Sequence, residues 1–106
     1  MKPLRFTPEA LDDVRKVYRR YETARLGLGA RFVDRLGEAA DVIQLNPEGP
    51  QEILPGLRHV RLKKFDAYAL WYVTRDEILV IGCLHGRRNL PKVIRQRRNA
   101  LKSETK

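Results

Sequence analysis

The sequence predicts an α+β domain in the order β-α-α-β-β-β-α, with an N-terminal helical hairpin packed on a small antiparallel-rich sheet and a short, basic C-terminal helix. Two observations lead to this fold class. Apolar residues recur at three- and four-residue steps up to residue 46 and at two-residue steps from residue 57, which indicates helices followed by strands. A length of 106 residues suits one core, so we expect a single domain over residues 1–106.

The two long helices follow a short N-terminal extended segment. Thr7 and Pro8 predict the start of the first helix, because a hydroxyl can cap a helix and proline is tolerated at its first position. A glycine-containing link separates the two apolar stripes, so we predict helices over residues 8–25 and 29–46. We assign Asp13, with other charged residues of the first helix, to the solvent-exposed side.

Three strands connected by tight turns are predicted in the second half, where they form an antiparallel meander. The first strand alternates apolar and charged residues and is expected to turn at Asp66-Ala67. The third is an apolar run without a charge, which fits a central strand buried on both faces. These predicted strands span residues 57–65, 68–74 and 78–84, and the C-terminal helix begins at Pro91.

The charge of the chain is strongly one-sided. Residues 1–56 hold 9 Lys/Arg and 9 Asp/Glu, a net charge of 0, whereas residues 57–106 hold 13 and 4, a net charge of +9. Such a one-sided positive field attracts polyanions and acidic proteins. We therefore expect the partner to be nucleic acid, an enzyme that works on nucleic acid, or an acidic protein.

The residues expected to contact this target form a basic cluster. Alternation along the first strand of the meander puts Arg61 and Lys63 on the face of His59, with Arg58 and Lys64 on the other face, so only part of the set can converge on one site. We expect Arg61, Lys63, Arg87 and Arg88 to be the members that do. Arginine suits phosphate and carboxylate groups because its guanidinium binds them in a bidentate manner. Solvated lysines of an edge strand are an alternative explanation for Lys63 and Lys64. The predicted cluster comprises Arg58, Arg61, Lys63, Lys64, Arg87, Arg88, Arg95 and Arg98.

Two histidines are candidates for acid–base chemistry near neutral pH. His85 follows the apolar strand directly, and His59 lies among the basic residues. If the protein cleaves RNA, His85 would move the proton, while Arg61, Arg87 and Arg88 would bind the scissile phosphate. The alternative is a structural histidine that hydrogen-bonds a loop, and this reading is favoured.

Other kinds of site are not expected. The single cysteine, Cys83, lies within the apolar strand, so neither an internal disulfide nor a cysteine metal site is possible. We see no metal-ligand spacing or phosphate-binding glycine loop and expect no metal or cofactor. No apolar run reaches the roughly 20 residues of a membrane helix, and no signal-type segment follows Met1, so we expect no membrane contact and a cytoplasmic location.

Short motifs along nearly the whole chain match one family of small proteins. The most specific is the apolar strand that ends in His-Gly-Arg-Arg-Asn. The others are Phe6-Thr7-Pro8-Glu9-Ala10, the link from Gly27 to Phe32, Asn46-Pro47, Arg58 and Tyr68-Ala69-Leu70-Trp71-Tyr72. With them the chain resembles the RelE/ParE superfamily of bacterial type II toxin–antitoxin modules. The resemblance implies a small basic toxin in a toxin–antitoxin hetero-oligomer, neutralised by a cognate antitoxin whose C-terminal segment wraps around it.

This superfamily divides into two branches with different targets. RelE-like members are ribosome-dependent mRNA interferases with a basic cluster and commonly a tyrosine or histidine near the C-terminus. ParE-like members have a longer helical hairpin and poison DNA gyrase. The hairpin here is long and no tyrosine follows Tyr72, which favours the ParE-like branch, while His85 keeps the interferase alternative open. A basic nucleic-acid-binding domain without toxicity is a third alternative.

The helical hairpin is the surface on which we expect the antitoxin. Both helices carry apolar residues on more than one side, so some apolar surface is expected to remain after the sheet is covered. The predicted antitoxin-binding residues are Val14, Val17, Tyr18, Tyr21, Phe32 and Leu36.

Overall fold

A computed structural model describes residues 1–86 and 90–104, with side chains as far as residue 101. Its elements follow the predicted order β-α-α-β-β-β-α. The strands are β1 (Leu4–Phe6), β2 (Leu57–Leu62), β3 (Phe65–Thr74) and β4 (Ile78–His85), and the helices are α1 (Pro8–Ala24), α2 (Leu28–Leu45) and α3 (Leu90–Glu104). In the part of the chain that the structure describes, no helix has the length and apolar character needed to cross a membrane.

The strands form one four-stranded sheet in the order β1-β4-β3-β2. β2, β3 and β4 make the predicted antiparallel meander, and β1 pairs in parallel with β4. This parallel pairing reaches only from Ile78 to Val80, so among the described residues the rest of β4 has a neighbouring strand on one side only. The predicted α+β class is confirmed.

Local hydrogen bonds explain where the two long helices begin. The Thr7 hydroxyl accepts a hydrogen bond from the Ala10 N–H at 3.2 Å and so caps α1 as predicted. α2 begins after Gly27, whose φ of 89° favours glycine. The Glu22 carboxylate accepts hydrogen bonds from the N–H groups of both Gly27 and Gly29, which satisfies the first turn of α2. The end of α1 and the start of α2 are thereby fixed to each other.

The predicted turn at residues 66–67 is wrong. β2 ends at Leu62, and Lys63 with Lys64 forms a two-residue turn in which Lys64 has a φ of 67°. Residues 66–67 belong to β3 instead. The physical reason is Phe65, which is buried and packs edge-on against two other core rings, so β3 must already be in place at this residue.

The two faces of the sheet carry separate cores, which we call the hairpin face and the α3 face. On the hairpin face, α1 and α2 cover a cluster of aromatic rings with centroids 4.9–6.3 Å apart. On the α3 face, Ile94 and Leu101 pack with residues of β2, β3 and β4. Trp71 and Tyr72 point to opposite faces as predicted, Tyr72 to the hairpin face and Trp71 to the α3 face. The aromatic cluster consists of Tyr21, Phe32, Phe65 and Tyr68.

Candidate functional site

A buried ion pair closes the side of β4 that β1 leaves open. Arg97 of α3 binds Asp13 of α1 through both terminal guanidinium nitrogens, at 2.8 Å from Nη1 to Oδ2 and 3.1 Å from Nη2 to Oδ1. The same Nη1 donates to the Ile81 carbonyl at 2.7 Å, and the Cys83 N–H donates to Asp13 Oδ2 at 3.1 Å. This pair, which we call the Asp13–Arg97 clamp, satisfies two backbone groups that would otherwise need a further strand.

Gly82 leaves the space through which the clamp reaches the backbone. A Cβ atom on Gly82 would lie 3.0 Å from Arg97 Nη1 and 3.1 Å from Leu84 Cγ, closer than ordinary van der Waals contact. The approach of the guanidinium group therefore favours glycine at this position of the buried strand.

The prediction that Asp13 is exposed to solvent is wrong. The Asp13 side chain is only 6% exposed, and that of Arg97 is 15% exposed. The sequence contained a signal for this burial, because Asp13 lies three residues after Ala10 and four before Val17, on the apolar stripe of α1. A carboxylate on a buried stripe requires a cationic or hydrogen-bonding partner. The pattern of the sequence did not identify Arg97 as this partner.

Both predicted histidines line one cavity, the histidine cavity, at the end of the meander. Its volume is about 330 Å³, and Arg61 and Trp71 also line it. The His59 ring meets the Trp71 ring at a steep angle with centroids 4.5 Å apart, and its Nδ1 is buried without a hydrogen-bond partner in the described residues. Burial, reinforced by the charge of Arg61, lowers the pKa of His59 below its ordinary value. His59 is therefore neutral at pH 7.

His85 and His59 lie opposite different residues of β3. It lies opposite Tyr68, with ring centroids 5.0 Å apart, while His59 lies opposite Trp71. Tyr68 and Trp71 are three positions apart, or about 10 Å along β3, and belong to opposite faces. The Tyr68 hydroxyl accepts a hydrogen bond from Arg20 at 2.7 Å, and these two residues and His85 line a second cavity of about 380 Å³. The two histidines therefore reach the histidine cavity from different positions along the sheet.

The basic residues near β2 converge only in part, as predicted. Arg61 is exposed and lines the histidine cavity, and together with Lys63 it lines a further cavity of about 450 Å³ beside α2. Lys63 and Lys64 lie in the turn after β2, so the prediction that they occupy opposite faces of a strand is wrong. A further irregularity, a register shift just after Arg61, interrupts the alternation before the turn. Arg87 and Arg88 lie outside the described residues.

Arg58 has a structural role. Its Nε donates to the Pro50 carbonyl at 2.8 Å and its Nη2 lies 3.3 Å from the Glu52 carboxylate, with the side chain only 16% exposed. These bonds hold the proline-containing loop against β2. Arg58 is therefore occupied within the fold, although the sequence analysis placed it in the target-binding cluster.

The hairpin residues predicted to bind an antitoxin lie mostly inside the protein. Val17 and Phe32 are buried in the hairpin-face core, where they cannot present a surface to a partner. Val14, Tyr21 and Leu36 are partly buried and pack against the same core. Tyr18, 39% exposed, is the one large residue of the predicted set on the surface. Antitoxin binding by the hairpin stays a prediction.

Cys83 is a structural residue. It is 2% exposed, and burial, reinforced by the neighbouring Asp13 carboxylate, raises the pKa of its thiol to about 12. The thiolate needed for nucleophilic or redox chemistry is therefore not formed near neutral pH.

An apolar groove that the sequence did not predict lies between α3 and the loop before β2. We call it the α3 groove, and its volume is about 630 Å³. Arg95 and Arg98, both members of the predicted basic cluster, line it together with apolar residues. The apolar lining consists of Ile53, Leu54, Trp71, Leu90, Pro91 and Ile94.

Comparisons with known proteins agree with this architecture. A sequence profile of the family described as "ParE toxin of type II toxin-antitoxin system, parDE" matches residues 4–90. Among solved structures, a chain of the "Chromosomal ParDE TA system from P. aeruginosa" is similar with a TM-score of 0.69 and 20% identity, over 80% of this chain and 96% of that chain. No curated protein matches. The structural similarity supports the fold, and the profile spans most of the sequence, so this chain belongs to the ParE toxin family.

Proposed function

We propose that the protein is the toxin of a type II toxin–antitoxin module, that it acts in the cytoplasm by inhibiting DNA gyrase, and that a cognate antitoxin neutralises it in a hetero-oligomer. The observation that carries this proposal is the match of residues 4–90 to the ParE toxin family. The ParE-like branch acts by binding gyrase. No catalytic group is therefore required of the toxin.

The arrangement of the candidate catalytic residues supports binding over catalysis. His59 packs on Trp71 and has a lowered pKa. His85 lies opposite Tyr68, at a different position along β3. General acid–base cleavage needs two groups on either side of one reacting centre. His59 and His85 line one cavity but lie opposite different residues of β3, so they do not face each other across the sheet. An exposed basic surface, in contrast, suits an enzyme that holds DNA.

A gyrase supercoiling assay tests the proposal directly. The purified protein is expected to inhibit supercoiling of relaxed plasmid and to leave mRNA intact in a parallel translation reaction. Arg95→Glu reverses a charge of the basic half and is expected to weaken inhibition about tenfold or more, as expected for a lost charge-assisted contact. Arg31→Glu, an exposed charge reversal in the neutral half, serves as the matched control and is expected to change little. Undisturbed supercoiling at micromolar protein would refute gyrase inhibition.

A second candidate is the ribosome-dependent interferase activity of the RelE-like branch. It is favoured by one observation, that His59, Arg61 and His85 line the same cavity. If this activity exists, His85→Ala and Arg61→Ala should each abolish growth inhibition and remove cleavage products from translated mRNA. Full toxicity of both variants, with uncut mRNA, would exclude this mechanism.

A further inference from the structure

The α3 groove is a preformed apolar site at the surface of the basic half of the protein. Its apolar lining joins the loop before β2 to the start of α3, across β3. Its volume of about 630 Å³ exceeds that of several side chains. Concave, mainly apolar sites with a few polar groups are the usual form of a binding site.

Two exposed apolar side chains form one wall of the groove, on a loop whose backbone is hydrogen-bonded. Ile53 and Leu54 are 47% and 46% exposed. The Ile53 N–H donates to the Leu57 carbonyl at 2.8 Å, and the Leu57 N–H donates to the Leu54 carbonyl at 2.9 Å, across a turn with Gly56 at a φ of 74°. A loop whose backbone is ordered in this way presents its apolar side chains with a smaller entropy cost on binding.

The other wall of the groove is cationic. Arg98 donates to the Pro55 carbonyl at 2.9 Å, which is a neutral acceptor. In the part of the chain that the structure describes, neither Arg95 nor Arg98 has a carboxylate partner. The surrounding half of the chain carries the entire net charge of +9, so an acidic occupant is electrostatically favoured.

One polar atom in the lining of the groove lacks a partner. Trp71 is 5% exposed, and its Nε1–H is buried without a hydrogen-bond acceptor among the described residues. A buried indole N–H normally has an acceptor, because leaving it unpaired costs about 1–3 kcal/mol. The nitrogen is enclosed and Trp71 also lines the histidine cavity, so the indole is a reporter of both sites and does not by itself define the occupant of the groove.

We propose that the α3 groove is the docking site for the antitoxin, and that it takes an apolar side chain flanked by acidic residues on the antitoxin segment. This inference rests on the proposed function, since it names the surface on which neutralisation occurs. It also explains neutralisation by occlusion, because an occupant covers Arg95 and Arg98 of the basic half.

The cavities beside the helical hairpin have a different chemical character from the α3 groove. Charged residues of both signs line them, including Arg35 and Glu38, so they do not select for an acidic occupant. The exposed apolar side chains of α2 lie on more than one side, since Val33 and Val42 are nine positions apart, while Leu45 follows Val42 by three positions at the end of the helix.

Binding of the antitoxin encoded beside this gene tests the inference. The probe is that purified polypeptide, titrated calorimetrically into wild-type toxin, an Ile53→Glu/Leu54→Glu variant and a Val33→Glu/Val42→Glu variant. Each pair replaces two exposed apolar residues with charges, so the hairpin variant is the matched control. We expect the groove variant to lose affinity about 100-fold or more, as for loss of a central apolar anchor, and the hairpin variant to change less than about threefold.

A loss of affinity confined to the hairpin variant, or equal affinities for all three proteins, would overturn the proposed dock. In both cases the wild-type protein still binds, so the proposed function stands. An absence of binding to wild-type toxin would overturn the antitoxin partner and the dock together. Circular dichroism of each variant verifies that affinity is compared between folded proteins.

A spectroscopic measurement locates the occupant independently of any variant. The chain has one tryptophan, so ¹⁵N-labelled toxin gives a single indole N–H signal, that of Trp71. Saturation with unlabelled antitoxin is expected to move this signal, because an occupant of the groove changes the surroundings of the Trp71 ring. A signal that stays in place at saturation would rule out an occupant, because any group against the indole changes its chemical shift.

Discussion

The hairpin face and the α3 face of the sheet are covered to different extents. Two helices of 17 and 18 residues cover the hairpin face and enclose the aromatic cluster, whereas one helix of 15 residues covers the α3 face. The thinner cover leaves the α3 groove open. A small domain with one sheet can thus use one face for stability and keep part of the other for recognition.

The largest expected effect is the loss of an aromatic ring from the hairpin face. Phe32→Ala removes a fully buried ring that contacts three other rings, and we expect unfolding free energy to fall by about 4 kcal/mol. Ile94→Ala, on the α3 face beside the groove, is expected to cost about 2 kcal/mol because solvent and neighbours can fill its space. Urea denaturation measures both. Equal losses would remove the distinction between the faces.

The Asp13–Arg97 clamp connects the two faces around the edge of β4. Breaking it is expected to give the next largest loss of unfolding free energy. Asp13→Asn removes the charge that pairs with Arg97 and places an amide donor near the Cys83 N–H. We expect a loss of about 3 kcal/mol, since one ion of a buried pair is left without its partner. Asp12→Asn is the adjacent control, whose exposed pair with Lys16 should have little influence on the urea midpoint.

Two glycine substitutions sharpen the role of the clamp. Gly82→Ala should lower the unfolding free energy by about 1 kcal/mol or more, because the new Cβ crowds Arg97 Nη1 at 3.0 Å. Gly37→Ala, on the surface of α2, should raise it by about 1 kcal/mol, because no atom lies within 4 Å and alanine favours the helix. Thermal unfolding of both variants gives the comparison. A stabilised Gly82→Ala variant would show that the clamp tolerates displacement.

The smallest effect is a pH dependence from the α3 face. Burial lowers the pKa of His59, so the unfolded chain binds a proton more readily than the folded one. The contribution of His59 to stability is therefore complete above the unfolded pKa of about 6.5 and is lost as the pH falls towards the lower, folded pKa. Urea midpoints at pH 7.5 and 5.5 should differ more for the wild type than for His59→Gln. An unchanged difference would contradict burial of this ring.

Much of the fold was predictable because it depends on periodic patterns. The helical stripes and the uncharged run of β4 identified every element in order, since each pattern is local. The turn at Lys63 and Lys64 was missed because alternation continues through it and only the packing of Phe65 decides the register. Arg97 was missed because its partner is 84 positions away.

The candidate site was less predictable than the fold. The sequence shows which residues are basic, but it does not show what each one contacts. Arg58 binds the loop before β2 and therefore has a structural role. The α3 groove was missed because Ile53 and Leu54 lie in an aperiodic loop, where no pattern indicates which side chains are exposed. Sites of this kind depend on how elements pack together, which spacing along the chain does not encode.

Because Asp13 leaves the ribosome long before Arg97, the nascent chain passes through a stage in which the carboxylate has no guanidinium partner. During that stage the open side of β4 resembles the edge strand of an aggregation-prone sheet. A polypeptide truncated after residue 96 keeps both long helices and every strand, yet it is expected to pellet on centrifugation. The last helix therefore completes the fold, and premature release of the chain is expected to give an insoluble product.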